Sequence, residues 1–514
     1  MAISTSYWIL DYILILTVTI VTIYLFMIRK YNYWKKRGVS QIKPLPFVGN
    51  FMDCLLQKRA PAFVIQEFYN ESKGLPYVGF YIFEKPCLLI RHPEIIKHIL
   101  VKDFENFCDH YSSPGKEDRL GWSSVFLMKN PTWKIVRHKL SPIFTSKQLK
   151  RMFDLLLEIV VNLDSHIDKI EFNGETKEID VKDFTTDITT NMICSIAFGL
   201  NIDAINNPEC ELRKTAREIF EVDKLRGFKL LMVFFYPQLS RYISLRFFEK
   251  KTSDLLRKIF WETINYRLKS GEKRNDVIDT LIDLKEKYKD QDFEDFKFDG
   301  DDLLAQAAIF FTGGYETTAS AMSFTFYELA VQPKIQDRLR REILDVLNEN
   351  EGKITYDMVL SLSYLEMVIA ETLRKYPILA TLDRKAMQDY KIPNHDLVIE
   401  KGTPIFFSLF GMHYDPKYFP DPEKFDPERF SKENKSSIPS CVYMPFGEGP
   451  RGCIANRLGK LQTKLGIIKL LSQYEVTPSE KTAIPMVLDP KNPVTAPVDM
   501  KLYLNIRKID TNAK

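Results

Sequence analysis

Residues 445–460 read PFGEGPRGCIANRLGK, and their single cysteine, Cys453, stands among glycines and between Arg451 and Arg457. A cysteine that only packs needs no such surroundings. A thiolate does, because nearby positive charge and backbone N–H groups favour the ionised sulfur, the form that ligates metal. Gly447, Gly449 and Gly452 let the chain curl so that its amides can converge on the sulfur, as in anion-binding nests. The run that follows, 454–471, has helical spacing and sets Cys453 at a helix N-terminus, where negative charge is stabilised. One cysteine alone cannot hold zinc or an iron–sulfur cluster. A single thiolate ligand suits haem.

Two other readings compete at this point. Gly447-x-Gly449-x-x-Gly452 has the form of a dinucleotide fingerprint, follows the short strand-like stretch 441–444, opens a helix and has Glu475 about twenty residues on. Against it, Pro445 and Phe446 separate the motif from that stretch, Pro450 stiffens the turn, and no βαβ series precedes it. The third reading is a glycine-rich turn before a core helix, with an inert cysteine.

The rest of the chain narrows the choice. Its 514 residues are 45% apolar and 27% charged, enough for a large core, and the length alone would suggest about three domains. A net charge of +4, with no long block of one sign, does not point to a nucleic-acid binder, and none is expected as a partner. The seven cysteines, Cys54, Cys87, Cys108, Cys194, Cys210, Cys441 and Cys453, are odd in number and scattered without a CxxC pair. Zinc, ferredoxin-type and thioredoxin-type sites therefore lack support, and free thiols fit a reducing compartment. The seven histidines are scattered too.

Near the start, 8–28 reads WILDYILILTVTIVTIYLFMI, with Asp11 its only charge. As a helix this spans about 31 Å, close to the thickness of a bilayer's hydrocarbon. Arg29, Lys30, Lys35, Lys36 and Arg37 follow at once, which keeps the remainder cytosolic by the positive-inside rule. There is no basic n-region and no small-residue cleavage site, so the segment reads as an anchor, not a signal peptide. A proline-rich turn, IKPLPFVGN, then puts a boundary near residue 40. We expect an anchor with a basic linker over 1–40 and a body over 41–514.

Within the body, a hairpin is expected over 77–83 and 86–91, with a helix opened by Pro93. Helical periodicity runs over 147–167, 253–268, 301–330, 335–348 and 362–376. Strand-like pieces return at 396–400 and 498–506, and 269–302 reads as a solvated loop with some helix. The fold class expected is mainly α with a small, mostly antiparallel β part.

With these elements placed, the opening stretch resembles the cysteine loop of the cytochrome P450 family, the haem-thiolate monooxygenases. The family's Phe-x-x-Gly-x-Arg-x-Cys-x-Gly falls on Phe446, Gly449, Arg451 and Cys453, with Ala455 where glycine is usual. GGYETT, 313–318, is similar to the central-helix motif, with Gly313 where alanine is commoner. There two glycines would let dioxygen and the haem face approach, while Thr317 and Glu316 would relay protons. ETLR supplies Glu371 and Arg374, and DPERF supplies Arg429, which in the family form a structural charged network. WKIVR supplies Trp133 and Arg137, which with Arg384 and Arg451 look like partners of the haem propionates, since an arginine fork pairs well with carboxylates.

The resemblance runs from about Pro44 to the C-terminus and is closest to microsomal enzymes of the insect type that oxidise xenobiotics and lipophilic endogenous compounds. It implies a single P450-like domain preceded by a transmembrane helix, in place of the three domains suggested by length. It further implies haem b with Cys453 as axial ligand of the iron, and electrons from NADPH through NADPH–cytochrome P450 reductase, with cytochrome b5 as a further partner. The catalytic domain would lie on the cytosolic side of the endoplasmic reticulum membrane. Lys134, Lys139, Arg457 and Lys460 would face an acidic partner. Apolar walls for a lipophilic substrate would come from 104–126, 225–235, 309–311 and 379–382. The segment 225–235 is also apolar enough to dip into the membrane. One alternative is a haem-binding protein of the same fold that takes carbon monoxide but does not turn over. An oxygen-independent isomerase of this fold would not need Thr317.

Overall fold

Apolar residues on every side make α1 (Trp8–Lys30), which is exposed along nearly its whole length. It is long and apolar enough to cross a membrane. Thr17 and Thr19 turn their hydroxyls back onto the Ile13 and Ile15 carbonyls at 2.7 Å, so neither donor would meet lipid unpaired. The computed structural model describes residues 8–163 and 176–509, apart from 205, 208, 221, 222 and 493.

The basic segment after α1 is no free linker. Tyr31 and Trp34 are buried, the Tyr81 hydroxyl donates to the Tyr31 carbonyl at 2.9 Å, and a side chain at Gly79 would collide with the Trp34 ring. Large aromatic surface outweighs the surrounding lysines here. The boundary expected near residue 40 therefore falls after a segment already packed on the body.

The longer helices of the body are α2 (Pro61–Glu71), α3 (Thr132–Leu140), α4 (Ser146–Val161), α5 (Val181–Ile193), α6 (Glu211–Phe220) and α7 (Lys224–Phe235). They continue with α8 (Lys250–Ser270), α9 (Val277–Lys287), α10 (Gly300–Val331), α11 (Pro333–Glu349), α12 (Ser363–Lys375) and α13 (Asn456–Leu471). The strands are β1 (Tyr77–Ile82), β2 (Lys85–Ile90), β3 (Thr176–Asp180), β4 (Thr381–Lys385), β5 (Tyr390–Lys391), β6 (Val398–Ile399), β7 (Pro404–Ser408), β8 (Tyr474–Pro478) and β9 (Tyr503–Lys508). One sheet has the order β1-β2-β7-β4, antiparallel except for the β2–β7 pair; the second is β3-β9-β8 and the third β5-β6. Mainly helical with a small β part is what the periodicity led us to expect.

The differences have local causes. The helix expected over 147–167 ends at Val161, and 164–167 lie outside the described residues. The charged stretch 269–302 holds α9, because Asp276 caps its first turn and pairs in the interior with Arg267 at 2.7 Å. The strand expected over 396–400 shrinks to β6. Residues 441–444 form a turn, with Cys441 at φ 62°, so no strand leads into the glycine loop and the dinucleotide reading fails. Helix α5, rich in threonine, had no apolar stripe to betray it.

The axis of the fold is α10. It carries small and apolar residues on all sides, so it can be buried all round. Close approaches fix its neighbours: a Cβ on Gly314 would lie 2.5 Å from Ile193 of α5, and one on Gly466 of α13 would lie 2.4 Å from the Met322 sulfur. These contacts bring the helix that follows Cys453 against the middle of α10.

Candidate active site

Cys453 is the one exposed cysteine of the seven. Even so, surrounding protein pushes its thiol above the ordinary value, with the Ala455 amide and the Arg137 guanidinium pulling it partway back. The Cys453 N–H donates to the Phe446 carbonyl at 2.7 Å, and Gly452 N–H donates to Gly449 O at 2.9 Å. Helix α13 begins at Asn456 with Ala455 as its cap, slightly later than expected, so the Ala455 amide serves the sulfur.

Gly449 is required twice over. Its φ is +71°, and a Cβ there would lie 1.9 Å from the Leu100 carbonyl oxygen. Gly449→Ala should therefore lose about 1–3 kcal/mol of stability from overpacking alone. Thermal unfolding checks this: a variant that melts with wild type would remove the close approach as the reason for glycine.

The central helix, α10, opens on one narrow face. Phe310, Gly313, Gly314 and Thr317 keep accessible surface within an otherwise buried helix, at the i, i+3, i+4, i+7 spacing of a single stripe. Gly313 meets nothing within 4 Å, whereas Gly314 is small because Ile193 crowds it. Of the two glycines expected to open the helix, one does so and the other serves helix packing. Thr317 Oγ1 donates back to the Gly313 carbonyl at 2.5 Å.

Glu316 does not join Thr317. Its Oε1 sits 2.8 Å from Lys182 Nζ of α5, both side chains being 2% exposed, and it also accepts the Ser320 hydroxyl at 2.9 Å. The adjacent pair expected to relay protons is thus divided between two faces of α10.

The arginines gather on another wall. Trp133 and Arg137 share a face of α3, yet Trp133 lies under the Arg451 guanidinium, 4.0 Å from ring centroid to charge, while Arg137 donates to the Gly452 carbonyl at 2.8 Å. Arg451 donates to the carbonyls of Cys108 and Met128, each at 2.8 Å, and reaches Asp109 at 3.2 Å. Arg384 donates from Nη1 to the Asp383 carbonyl at 2.7 Å, and its buried Nε has no partner. Burial lowers Arg384 to about 10 and Arg451 to about 9.

Four residues of this wall were not read from the sequence. His110 Nδ1 lies 2.9 Å from Asp383 Oδ1, the Ser112 amide donates to Asp383 Oδ2 at 2.9 Å, and Lys129 Nζ donates to the His110 and Ser112 carbonyls. His110 and Asp383 lie far apart in the chain, and no local pattern links them.

Glu371, Arg374 and Arg429 lie together. Arg374 binds Glu371 through two bonds, 2.7 and 2.8 Å, with both side chains fully buried. Arg429 completes it by charge alone: its Nε is 3.4 Å from Glu371 but makes no hydrogen bond, while Nη2 donates to Asp421 O at 2.9 Å. His413 extends it unforeseen. Its Nδ1 lies 3.0 Å from the Arg374 carbonyl and its Nε2 accepts the Met444 amide at 3.4 Å, and burial keeps it neutral by lowering it to about 3. The network thus grips the chain entering the cysteine loop.

On the cysteine-side face, Lys134 pairs with Glu105, Arg457 donates to Ser146, Lys460 pairs with Glu366, and Lys139 lies over the Tyr288 ring. Within 309–311 only Phe310 is partly open; Phe311 is buried against Phe198. In and near 225–235, Leu225 and Tyr242 are strongly exposed.

These residues fit a haem on several counts: one open thiol, an open stripe on the central helix, and a wall where Arg384 has an orphaned buried N–H and burial holds both arginines below their ordinary values. Two propionates would supply negative charge there. Among the described residues no group of three or more His, Cys, Asp or Glu is placed to hold a bare metal ion.

The family model described as Cytochrome P450 matches residues 40–503. The chain is 43% identical to Cytochrome P450 6k1 of Blattella germanica, covering 95% of each chain. It is 41% identical to Probable cytochrome P450 6g2 of Drosophila melanogaster, over 94% of this chain and 96% of the relative. With Cytochrome P450 6j1 of Blattella germanica the identity is 39%, over 95% and 96%.

Proposed function

The chain belongs to the cytochrome P450 family of haem-thiolate monooxygenases, and on that premise we propose that it inserts one oxygen atom of O2 into lipophilic small molecules, either xenobiotics such as insecticides and plant compounds or endogenous lipids and hormones. The observation that carries this reading is the exposed Cys453 in its glycine loop, on a chain whose central helix α10 keeps one open stripe at Phe310, Gly313, Gly314 and Thr317.

In this reading the bound group is haem b, which supplies dioxygen binding and activation, favoured by electron donation from a thiolate ligand. Cys453, held by Phe446 O and served by the Ala455 amide, would supply that thiolate to the iron. Arg384 and Arg451 would pair with the carboxylates of the group, with Trp133 beneath Arg451 and Arg137 donating to the Gly452 carbonyl beside the cysteine. Gly313 leaves room beside the helix, and Thr317 holds a proton at its hydroxyl there. Glu316 reaches the same face only by leaving Lys182. Glu371, Arg374 and Arg429 hold the loop in place and do no chemistry.

The same proposal makes residues 1–40 the membrane anchor with its docked basic segment and 41–514 the catalytic domain. The anchor would sit in the endoplasmic reticulum membrane with the domain on its cytosolic side, as Arg29, Lys30, Lys35, Lys36 and Arg37 require. Electrons would come from NADPH–cytochrome P450 reductase, with cytochrome b5 as a second donor, on the face bearing Lys134, Lys139, Arg457 and Lys460.

The test is a reduced, carbon-monoxide difference spectrum. Wild type should give the thiolate-type Soret band and Cys453→Ala should lose it entirely. Purified wild type that lacks the band overturns the reading. Wild type that has it but consumes no NADPH with reductase over a panel of lipophilic compounds is instead a haem-binding protein without turnover.

A further inference from the structure

His110 and Asp383 form a buried pair on the arginine wall, and their geometry fixes the tautomer. Asp383 is a carboxylate, held far below its ordinary range by His110, the Ser112 amide and Arg384 despite burial. His110 Nδ1, 2.9 Å away, therefore carries the proton, and Arg384 Nη1, 3.4 Å from the same nitrogen, acts there as a neighbouring charge and not as a donor to it. That leaves Nε2 as a bare lone pair when the ring is neutral, and Nε2 has no hydrogen-bond partner among the described residues. A lone pair repels a carboxylate. An imidazolium N–H attracts it.

We propose that His110, oriented by Asp383, is a cofactor-binding residue that takes up a proton at Nε2 when a propionate of the haem docks on this wall, and that it releases the proton when the haem leaves. The inference rests on the haem reading above. The proton comes from water, and a surface cleft of about 210 Å³ lined by Trp122, Lys129, Asn130 and Glu294 brings solvent to Lys129, which holds the His110 carbonyl. The charged and titratable groups around the ring are Asp383 and Arg384 on β4, Arg451 of the cysteine loop, and Lys129, Asp109 and Cys108 of the flanking segments. With no propionate present, burial and the two arginines keep His110 neutral, lowered to about 4.

The sign follows from linkage. Binding raises the His110 proton affinity, so haem is held more tightly as pH falls towards neutrality, and the advantage fades as pH rises through the bound-state value. Protonation of the Cys453 thiolate acts the opposite way, loosening haem in acid, so the two are separable. The experiment measures haem transfer from the full-length protein to apomyoglobin between pH 6.5 and 9. Wild type should lose haem roughly tenfold more slowly than His110→Gln at pH 6.5, the scale of one charge-assisted hydrogen bond, and at the same rate at pH 9. His110→Arg, permanently charged, should restore slow loss at both. Reconstitution with haem dimethyl ester, which has no carboxylates, should erase the difference between wild type and His110→Gln without relying on any variant's folding. A ratio that stays constant with pH, or that persists with the ester, overturns the proposal. Failure of wild type to hold any haem overturns the haem reading instead.

Discussion

Arg374→Leu is expected to leave a chain that does not hold its fold at 37 °C. Arg374 and Glu371 are both fully buried, and the arginine also donates to the His413 and Pro422 carbonyls at 2.9 and 2.8 Å. Removing it strands Glu371 with the Asp426 amide at 2.9 Å and the Arg429 charge at 3.4 Å, and two buried carbonyls lose their donor. Breaking a buried pair from one side costs about 3–5 kcal/mol, a large part of a total stability of about 5–15 kcal/mol. Glu371 is already raised above its ordinary value, burial outweighing its partners, and loss of Arg374 raises it further. A raised carboxylate binds its proton in the folded state first, so stability falls as pH rises from the unfolded-state value towards the folded one. The deficit relative to wild type should therefore be smaller at pH 5 than at pH 7.5. Thermal unfolding at both pH values checks it; a deficit below about 1 kcal/mol that does not change with pH would remove the pair from the stability account.

Chain-local features were legible without coordinates. The glycine loop around Cys453, the long apolar helix that became α10, the Glu371–Arg374 spacing and the N-terminal apolar helix all write their physics within a few residues. What escaped was made by residues distant in sequence. Nothing near Lys182 announces that its partner is Glu316 on another helix, nor does anything near His110 announce Asp383. Helix α5 was missed because its polar residues are buried against other helices, so the amphipathic stripe that marks a surface helix is absent. In retrospect, a lysine within a helix that has no solvated face was the available signal for a buried ion pair. Gly314 carries the converse lesson: glycine in a catalytic motif was read as room for ligand, and it is room for Ile193.

Lys182→Met should be as damaging as the loss of Arg374, and for the same reason. It leaves the Glu316 carboxylate in the interior with only the Ser320 hydroxyl at 2.9 Å, at a cost of about 3–5 kcal/mol. Lys182→Met combined with Glu316→Met should recover most of that loss, because apolar residues of similar volume replace a buried ion pair at little net cost. Since each single change breaks the pair from one side, the coupling in a double-mutant cycle read by chemical denaturation should be about 3 kcal/mol or more. The stable double variant also answers the question of proton delivery that the geometry raises. If Glu316 leaves Lys182 to feed Thr317, electrons from NADPH will leave as hydrogen peroxide in the double variant, as they should in Thr317→Val. If Glu316 serves only to bind α5 to α10, product formed per NADPH will match wild type. The positions favour the second outcome, since Oε1 of Glu316 is held by Lys182 and Ser320 while the Thr317 hydroxyl turns back to Gly313 on the open stripe. A proton reaching Thr317 then has to arrive along the open stripe of α10 rather than through its neighbour in sequence.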